Sequence, residues 1–324
     1  MILAWPLEAA AGAVDFDPPV NLFLDHSYVA WSPNPIKVQG DPHSPVHLIF
    51  EAQIAPNFFF TQQHIKFKSD SAGELVFSAV LTPLIRLRML EENSSPVIPP
   101  SFMPKLTLQS LYLKYWDAET ARLRYSAIGL NIILGHYSNG QSGCFFANQT
   151  GVDPNCAPSQ GQLPLNEVSG SFSTNYFRSE LHGQLAFGAG QEKHSAWLVG
   201  GGAALEINSA FGPGGIGDEQ RRVYGNAHYG ADAELERDWP GNRARASVAW
   251  SVPSGERPHQ KSTFTADAAY LPDALNGFGL FARYIDGQDY YNILFLERLH
   301  LWLLGVSFEL NTSIVEPPFR LQHE

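Results

Sequence analysis

Apolar and polar residues alternate along most of the chain, and a period of two is the signature of a strand whose two faces meet different surroundings. From Arg222 to Glu236 the odd positions Val223, Gly225, Ala227, Tyr229, Ala231, Ala233 and Leu235 are apolar or small, whereas Arg222, Tyr224, Asn226, His228, Asp232, Glu234 and Glu236 are mainly polar. Residues 243–252 repeat the pattern, with Ala244, Ala246, Val248, Trp250 and Val252 against Arg243, Arg245, Ser247 and Ser251. So do Phe264, Ala266, Ala268 and Tyr270 against Thr263, Thr265 and Asp267, and a last run carries His300, Trp302, Leu304, Val306 and Phe308. Further candidate strands lie near 46–55, 62–69, 74–90, 105–116, 121–138, 173–187, 194–210 and 277–286. No helical periodicity competes with them.

The length of these runs and the content of their polar rows select the architecture. A soluble sandwich or small barrel buries its apolar row and exposes the polar one. Most of these runs, however, exceed the usual ~5–6 residues of a strand, and Arg243, Arg245, Asp232 and Glu234 sit in their middles. A closed barrel with lipid outside and a polar lumen accounts for both features, since a membrane strand needs about 9–11 residues and alternates between two solvents. The prediction is an all-β chain forming one transmembrane antiparallel β-barrel of about 12 strands. Its expected limits are residues 46–310, with an N-terminal extension or signal remnant at 1–45 and a C-terminal tail at 311–324.

Composition sharpens this picture. Asp, Glu, Lys and Arg make up 16% of the chain, against about 25% in an ordinary soluble domain. Gly (28), Phe (21), Tyr (12) and Trp (7) are plentiful, so much of the surface is expected to face something other than water. A net charge of -11 without any Lys/Arg cluster excludes nucleic acid as a partner. No run of about 20 apolar residues is present, which leaves strands as the means of crossing a membrane. The longest irregular segment, 139–172, holds Pro154, Pro158, Pro164 and both cysteines. Bacterial barrels keep long loops outside, so this loop is expected to be external, with Cys144 bonded to Cys156 in an oxidising compartment. The stretch "EENSSPVIPPSFMP", from Glu91 to Pro104, reads as a second external loop.

Candidate chemistry stands where one apolar row ends. Ile128, Leu130, Ile132 and Leu134 are followed on the same face by His136 and Ser138, and then by the turn pair Asn139-Gly140. On the returning run Asn175 heads the row Phe177, Ser179, Leu181, Gly183, Leu185 and Phe187. Paired as neighbours, the two runs bring His136, Ser138 and Asn175 together outside the barrel, near the membrane boundary. A serine hydroxyl is a poor nucleophile until a neighbouring base takes its proton, and an imidazole does so best when its other nitrogen is held by an acceptor. The Asn175 side-chain carbonyl can hold it without adding charge. On alternation alone, the same three residues serve equally well as an ordinary polar rim.

The stretches "GHYSNGQS" and "SFSTNYFRSEL" resemble the outer-membrane phospholipase A family, whose pattern is His, any residue, Ser, Asn, Gly, and then Ser, any residue, Asn on the next strand. "ENSSP" at 92–96 looks like the family's calcium-binding external loop, and "DGQDYYN" and "GVSFEL" resemble its closing strands. The resemblance implies a bacterial outer-membrane enzyme that hydrolyses the acyl esters of phospholipids, with His136 as base, Ser138 as nucleophile and Asn175 as the orienting residue. It also implies Gly140 as the oxyanion donor, calcium held by Ser94, Gln141 and Ser171, and a homodimer as the active form. The segment between Gln141 and Ser171 is far longer here than in the family. "HYSN" is also similar to the lipid A deacylases, in which Glu167 would complete the site, and a passive porin-like barrel would use the polar rows alone.

Overall fold

The computed structural model describes residues 20, 22–34, 37–38, 48–67, 73–91, 97–116, 124–139, 172–188, 196–209, 211–254, 262–288 and 298–309. In chain order the strands are β1 (Ser27–Trp31), β2 (Lys37–Val38), β3 (Leu48–Ile54), β4 (Phe58–Phe67), β5 (Gly73–Leu90), β6 (Val97–Trp116) and β7 (Arg124–Ser138). They continue as β8 (Ser173–Gly188), β9 (Ala196–Ser209), β10 (Ala227–Trp239), β11 (Asn242–Ser254), β12 (Thr263–Pro272), β13 (Phe278–Gln288) and β14 (Arg298–Phe308). Among the described residues one α-helix, the short α1 (Asp218–Tyr224), lies between β9 and β10, and a 3-10 turn, Asp273–Leu275, lies between β12 and β13.

Each strand from β5 to β14 pairs antiparallel with the next, and β1 closes the circle by pairing with β14 on one side and β3 on the other. Two staves of the wall are broken. β1 and β2 lie in succession along β14, and β3 and β4 lie in succession along β5, so the closed barrel has 12 staves.

Side chains sort by face as the alternation requires. Ile128, Leu130 and Leu134 on β7, Phe177, Leu181 and Leu185 on β8, Val248 and Trp250 on β11, and Trp302, Leu304 and Val306 on β14 all stand exposed on the outside. Their neighbours Asn131, Ile133, Tyr137, Thr174, Glu180, Gln184, Arg243 and Leu303 are buried inside. Large apolar groups outside a closed wall, with carboxylates and guanidinia within, invert a water-soluble protein and define a transmembrane β-barrel. No described helix is long and apolar enough to cross a membrane.

Two apolar layers and the N-terminal segment occupy much of the lumen. At one end Val20 and Leu22 of the N-terminal segment pack inside against Val76, Leu111, Leu113, Ala127 and Leu198. The segment then climbs the interior, where Gln109 donates to the Leu22 carbonyl (2.9 Å), Asn131 to that of Phe23 (3.1 Å), and Asp25 pairs with Lys105. At the other end Ala55, Leu84, Met103, Tyr137, Phe172, Ile216 and Tyr224 form a second apolar layer. Between the layers a cavity of about 160 Å³ is lined by Arg86, Lys105, Arg178, Glu180 and Glu206 among others.

One chain of bonds crosses the seam where β1 closes the barrel. Arg283 on β13 grips Asp267 on β12 through two 2.7 Å bonds and donates to the Tyr28 hydroxyl on β1 at 2.9 Å. Tyr28 in turn donates to Glu51 on β3, whose other oxygen takes the Arg88 Nε of β5 at 2.5 Å. Tyr28, Glu51 and Arg88 are buried and Arg283 and Asp267 partly so, and each is partnered, as poorly hydrated polar groups require.

Four sequence expectations need correction. The wall begins at Ser27 rather than residue 46, and residues 22–26 lie inside it. Val97–Pro104, expected in a loop, are strand: Arg86 pairs with Ser101 and Arg88 with Ile98, so β6 carries one extra residue at Pro99-Pro100. A bulge is where a strand tolerates proline, which has no N–H for the ladder. Arg222–Asn226 continue the alternating row in sequence, yet they belong to α1 and its exit, too short a helix to show a 3.6-residue period. The strand near 62–69 starts earlier, at Phe58. The expected C-terminal tail and both cysteines, Cys144 and Cys156, lie outside the described residues.

The outward belt makes a test. Leu181, 57% exposed, sits near the middle of β8 on its outer face. In a bilayer Leu181→Arg is expected to destabilise the barrel by about 2–4 kcal/mol, whereas a water-facing position changes by only about 0.5 kcal/mol. Reversible urea unfolding in lipid vesicles measures the difference.

Candidate active site

The register between β7 and β8 assembles the site. His136 stands directly opposite Asn175, and Ser138 opposite Ser173. Just below, Gly135 faces Tyr176 across the same pair of strands, and the tyrosine ring lies over the bare glycine. A methyl group at Gly135 would come within 2.2 Å of the Tyr176 Cζ, so any side chain there would displace the tyrosine ring from this packing. Above, Asn139 continues the ladder: its N–H donates to the Phe172 carbonyl at 3.1 Å, and its side-chain oxygen accepts the Phe172 N–H at 3.0 Å. Phe172 stacks on Tyr224 with ring centres 3.7 Å apart, which ties this end of the ladder to the inner apolar layer.

Within that frame His136 Nδ1 lies 2.8 Å from Asn175 Oδ1. The amide orientation follows from its other contacts: Asn175 Nδ2 donates to the carbonyls of Phe211 (2.7 Å) and Pro213 (3.2 Å). Two acceptors on that side require the NH2 group there, so the oxygen must face the imidazole. An amide oxygen only accepts. His136 therefore carries its proton on Nδ1 and donates it to Asn175, which leaves the Nε2 lone pair free to act as a base. Ser138 is two residues further along the same outward face, and same-face Cα atoms of a strand lie about 7 Å apart, within reach of an imidazole.

The loop from Phe211 to Gly217, between β9 and α1, was not legible as part of the site. Besides its two carbonyls, it lays Gly214 against the imidazole: at φ +76°, an added Cβ there would meet His136 Cε1 at 2.7 Å. The local signal was the Gly- and Pro-rich run "FGPGGIG", which announces a turn but not what the turn will touch.

Directly beneath His136 and Asn175 the outward row is Leu134 and Phe177, with Ile207 on the next strand, all large and exposed. The His–Asn pair thus sits at the upper edge of the apolar belt. It faces the outside of the wall and not the lumen.

The structure brings together His136, Asn175 and the face bearing Ser138. The other expected site residues, Gly140, Ser94, Gln141 and Ser171, and the rival Glu167, lie outside the described residues. Among the described residues no group of three His, Cys, Asp or Glu side chains could hold a metal ion.

A transmembrane β-barrel with a histidine–asparagine pair and a serine at its rim is the class of protein these features define. No family model and no curated protein matches the chain. Among solved structures it is similar to the outer membrane phospholipase A from Escherichia coli, at 13% identity over 91% of this chain and 95% of that one, with a TM-score of 0.47. It is also similar to a triple mutant of the Rhodopseudomonas blastica porin, at 10% identity over 87% of this chain and 98% of that one, with a TM-score of 0.26.

The tautomer is directly measurable. Nitrogen-edited NMR of histidine-labelled protein should find His136 protonated on Nδ1 at neutral pH, and Asn175→Ala should convert that signal to a mixture of tautomers. Gly214→Ala, forced into the left-handed region, should lower stability by about 1–2 kcal/mol in denaturant unfolding.

Proposed function

We propose that the chain is an outer-membrane phospholipase, a serine esterase that hydrolyses the acyl esters of phospholipids with Ser138, His136 and Asn175. The observation that carries this reading is the 2.8 Å contact between His136 Nδ1 and Asn175 Oδ1 on the lipid-facing row that also bears Ser138.

In the proposed reaction the Ser138 hydroxyl gives its proton to His136 Nε2 as its Oγ bonds to the ester carbonyl carbon. The tetrahedral oxyanion collapses, the C–O bond to the glycerol breaks, and His136 returns the proton to the departing alkoxide. A water, deprotonated by the same nitrogen, then attacks the acyl-serine and releases the fatty acid with the serine regenerated. Asn175 holds the ring in one tautomer throughout. An amide is a suitable holder at the edge of a bilayer, because it orients without the desolvation cost of a carboxylate. For the oxyanion, the resemblance nominates the Gly140 N–H and a calcium ion held by Ser94, Gln141 and Ser171. Bound there, calcium would polarise the ester carbonyl as a hard Lewis acid.

Close packing across much of the lumen supports a hydrolase over a passive porin. Glu51, Asn131, Arg88 and Thr107 point inward and are almost wholly excluded from water, and the N-terminal segment lies across the interior. A diffusion pore needs such side chains wet.

Phospholipid hydrolysis by the purified protein tests the proposal. Ser138→Ala should lower turnover by on the order of a thousand-fold or more without unfolding the barrel. Asn175→Ala should lower it only about three- to ten-fold, the worth of one orienting hydrogen bond of roughly 0.5–1.5 kcal/mol. Wild-type turnover in Ser138→Ala would end the serine mechanism, and full activity in excess chelator would remove calcium from it.

A further inference from the structure

Phe211 is 86% exposed, although its backbone is part of the candidate site. It lies two residues beyond the end of β9, and its N–H donates to the Ser209 hydroxyl at 3.0 Å. The outward side chains below it, Leu205 and Ile207 on β9 and Phe177 on β8, are large, apolar and exposed, so the ring stands where the lipid-facing belt ends.

The loop that Phe211 opens is fixed at its far end. Ile216 is buried in the inner apolar layer, its N–H donates to the Ser209 carbonyl at 3.0 Å, and the Gly217 N–H donates to the Gln220 side chain at 2.8 Å. Among the described residues the near end has no comparable apolar seat. It is nevertheless the end whose carbonyl takes the Asn175 amide at 2.7 Å. An aromatic ring at the upper edge of an apolar belt is well matched to the interfacial zone of a lipid leaflet.

We propose that Phe211 is a membrane anchor: its ring seats in the lipid interface and thereby braces the Phe211–Gly217 loop, making Phe211 a positioning residue for Asn175 and, through it, His136. The lipid contact stands on the exposed belt alone. Its effect on turnover rests on the hydrolase reading of His136, Ser138 and Asn175.

The full-length protein in phosphatidylcholine nanodiscs provides the test. In Phe211→Trp, the emission added over wild type should be quenched about twofold or more better by lipids carrying a nitroxide near the headgroup than by lipids carrying it at the chain end. In Phe211→Ser, amide hydrogen exchange across residues 211–217 should accelerate severalfold, and Phe211→Trp should restore wild-type protection. Phospholipid turnover should follow the same order: kcat falls roughly fivefold in Phe211→Ser with KM unchanged and recovers in Phe211→Trp. Added emission indifferent to the nitroxide lipids, or wild-type exchange and kcat in Phe211→Ser, would overturn the proposal. If the wild-type protein hydrolyses no phospholipid, the hydrolase reading fails, while quenching and exchange still decide whether Phe211 is an anchor that braces the loop.

Discussion

A backbone inside a bilayer has no water to bond, so every N–H and C=O in the wall must find its partner in the chain itself. That constraint explains why the sheet closes and why its two imperfect staves are built as they are. β1 and β2 share the edge of β14, and β3 and β4 share the edge of β5, so each break is bridged by one uninterrupted neighbour. It also explains the bulge on β6, which accommodates Pro99-Pro100 without leaving β5 unpaired on either side.

Closure forces the second problem, a lumen that must hold the polar half of every strand. The answer here is partnership rather than hydration. Asp267, Arg283, Tyr28, Glu51 and Arg88 form one run of bonds that joins β12, β13, β1, β3 and β5, reaching past β14 between Arg283 and Tyr28, and it passes through the short strand β1, where the ladder is thinnest. Charges this deeply buried are costly to strand alone and satisfactory when bonded on both sides, so the network favours a single register at the seam. The N-terminal segment takes part in the same solution, its carbonyls serving as acceptors for Gln109 and Asn131.

The candidate site lies where the two environments meet. Below His136 and Asn175 the outer face is apolar, and above them the β7–β8 ladder ends in Asn139 and Phe172. An amide between two backbone carbonyls and an imidazole has only one satisfactory orientation, so four hydrogen-bonding groups from two strands and one loop settle which nitrogen of His136 is basic. This is order imposed by geometry without charge, suited to a place where water is scarce.

Much of this was legible in the amino-acid order, because alternation is a local property: a strand of fixed pitch sends every second side chain to the same face. The lipid-facing rows, the inward positions of Asn131 and Glu180, and the convergence of His136 with Asn175 all follow from period and neighbour pairing. What required the tertiary structure was long-range. Ser27–Trp31 is too short for its pattern to announce a strand, and it becomes one because β14 and β3 each leave an edge to be filled. Arg222–Tyr224 open an alternating run yet end the helix Asp218–Tyr224, because the chain turns there across the barrel end, where Tyr224 finds Phe172. The Phe211–Gly217 loop reaches Asn175 across 36 and 38 positions of sequence. Periodicity speaks only of the face on which a residue lies, and which distant backbone will meet it there is decided when the sheet closes.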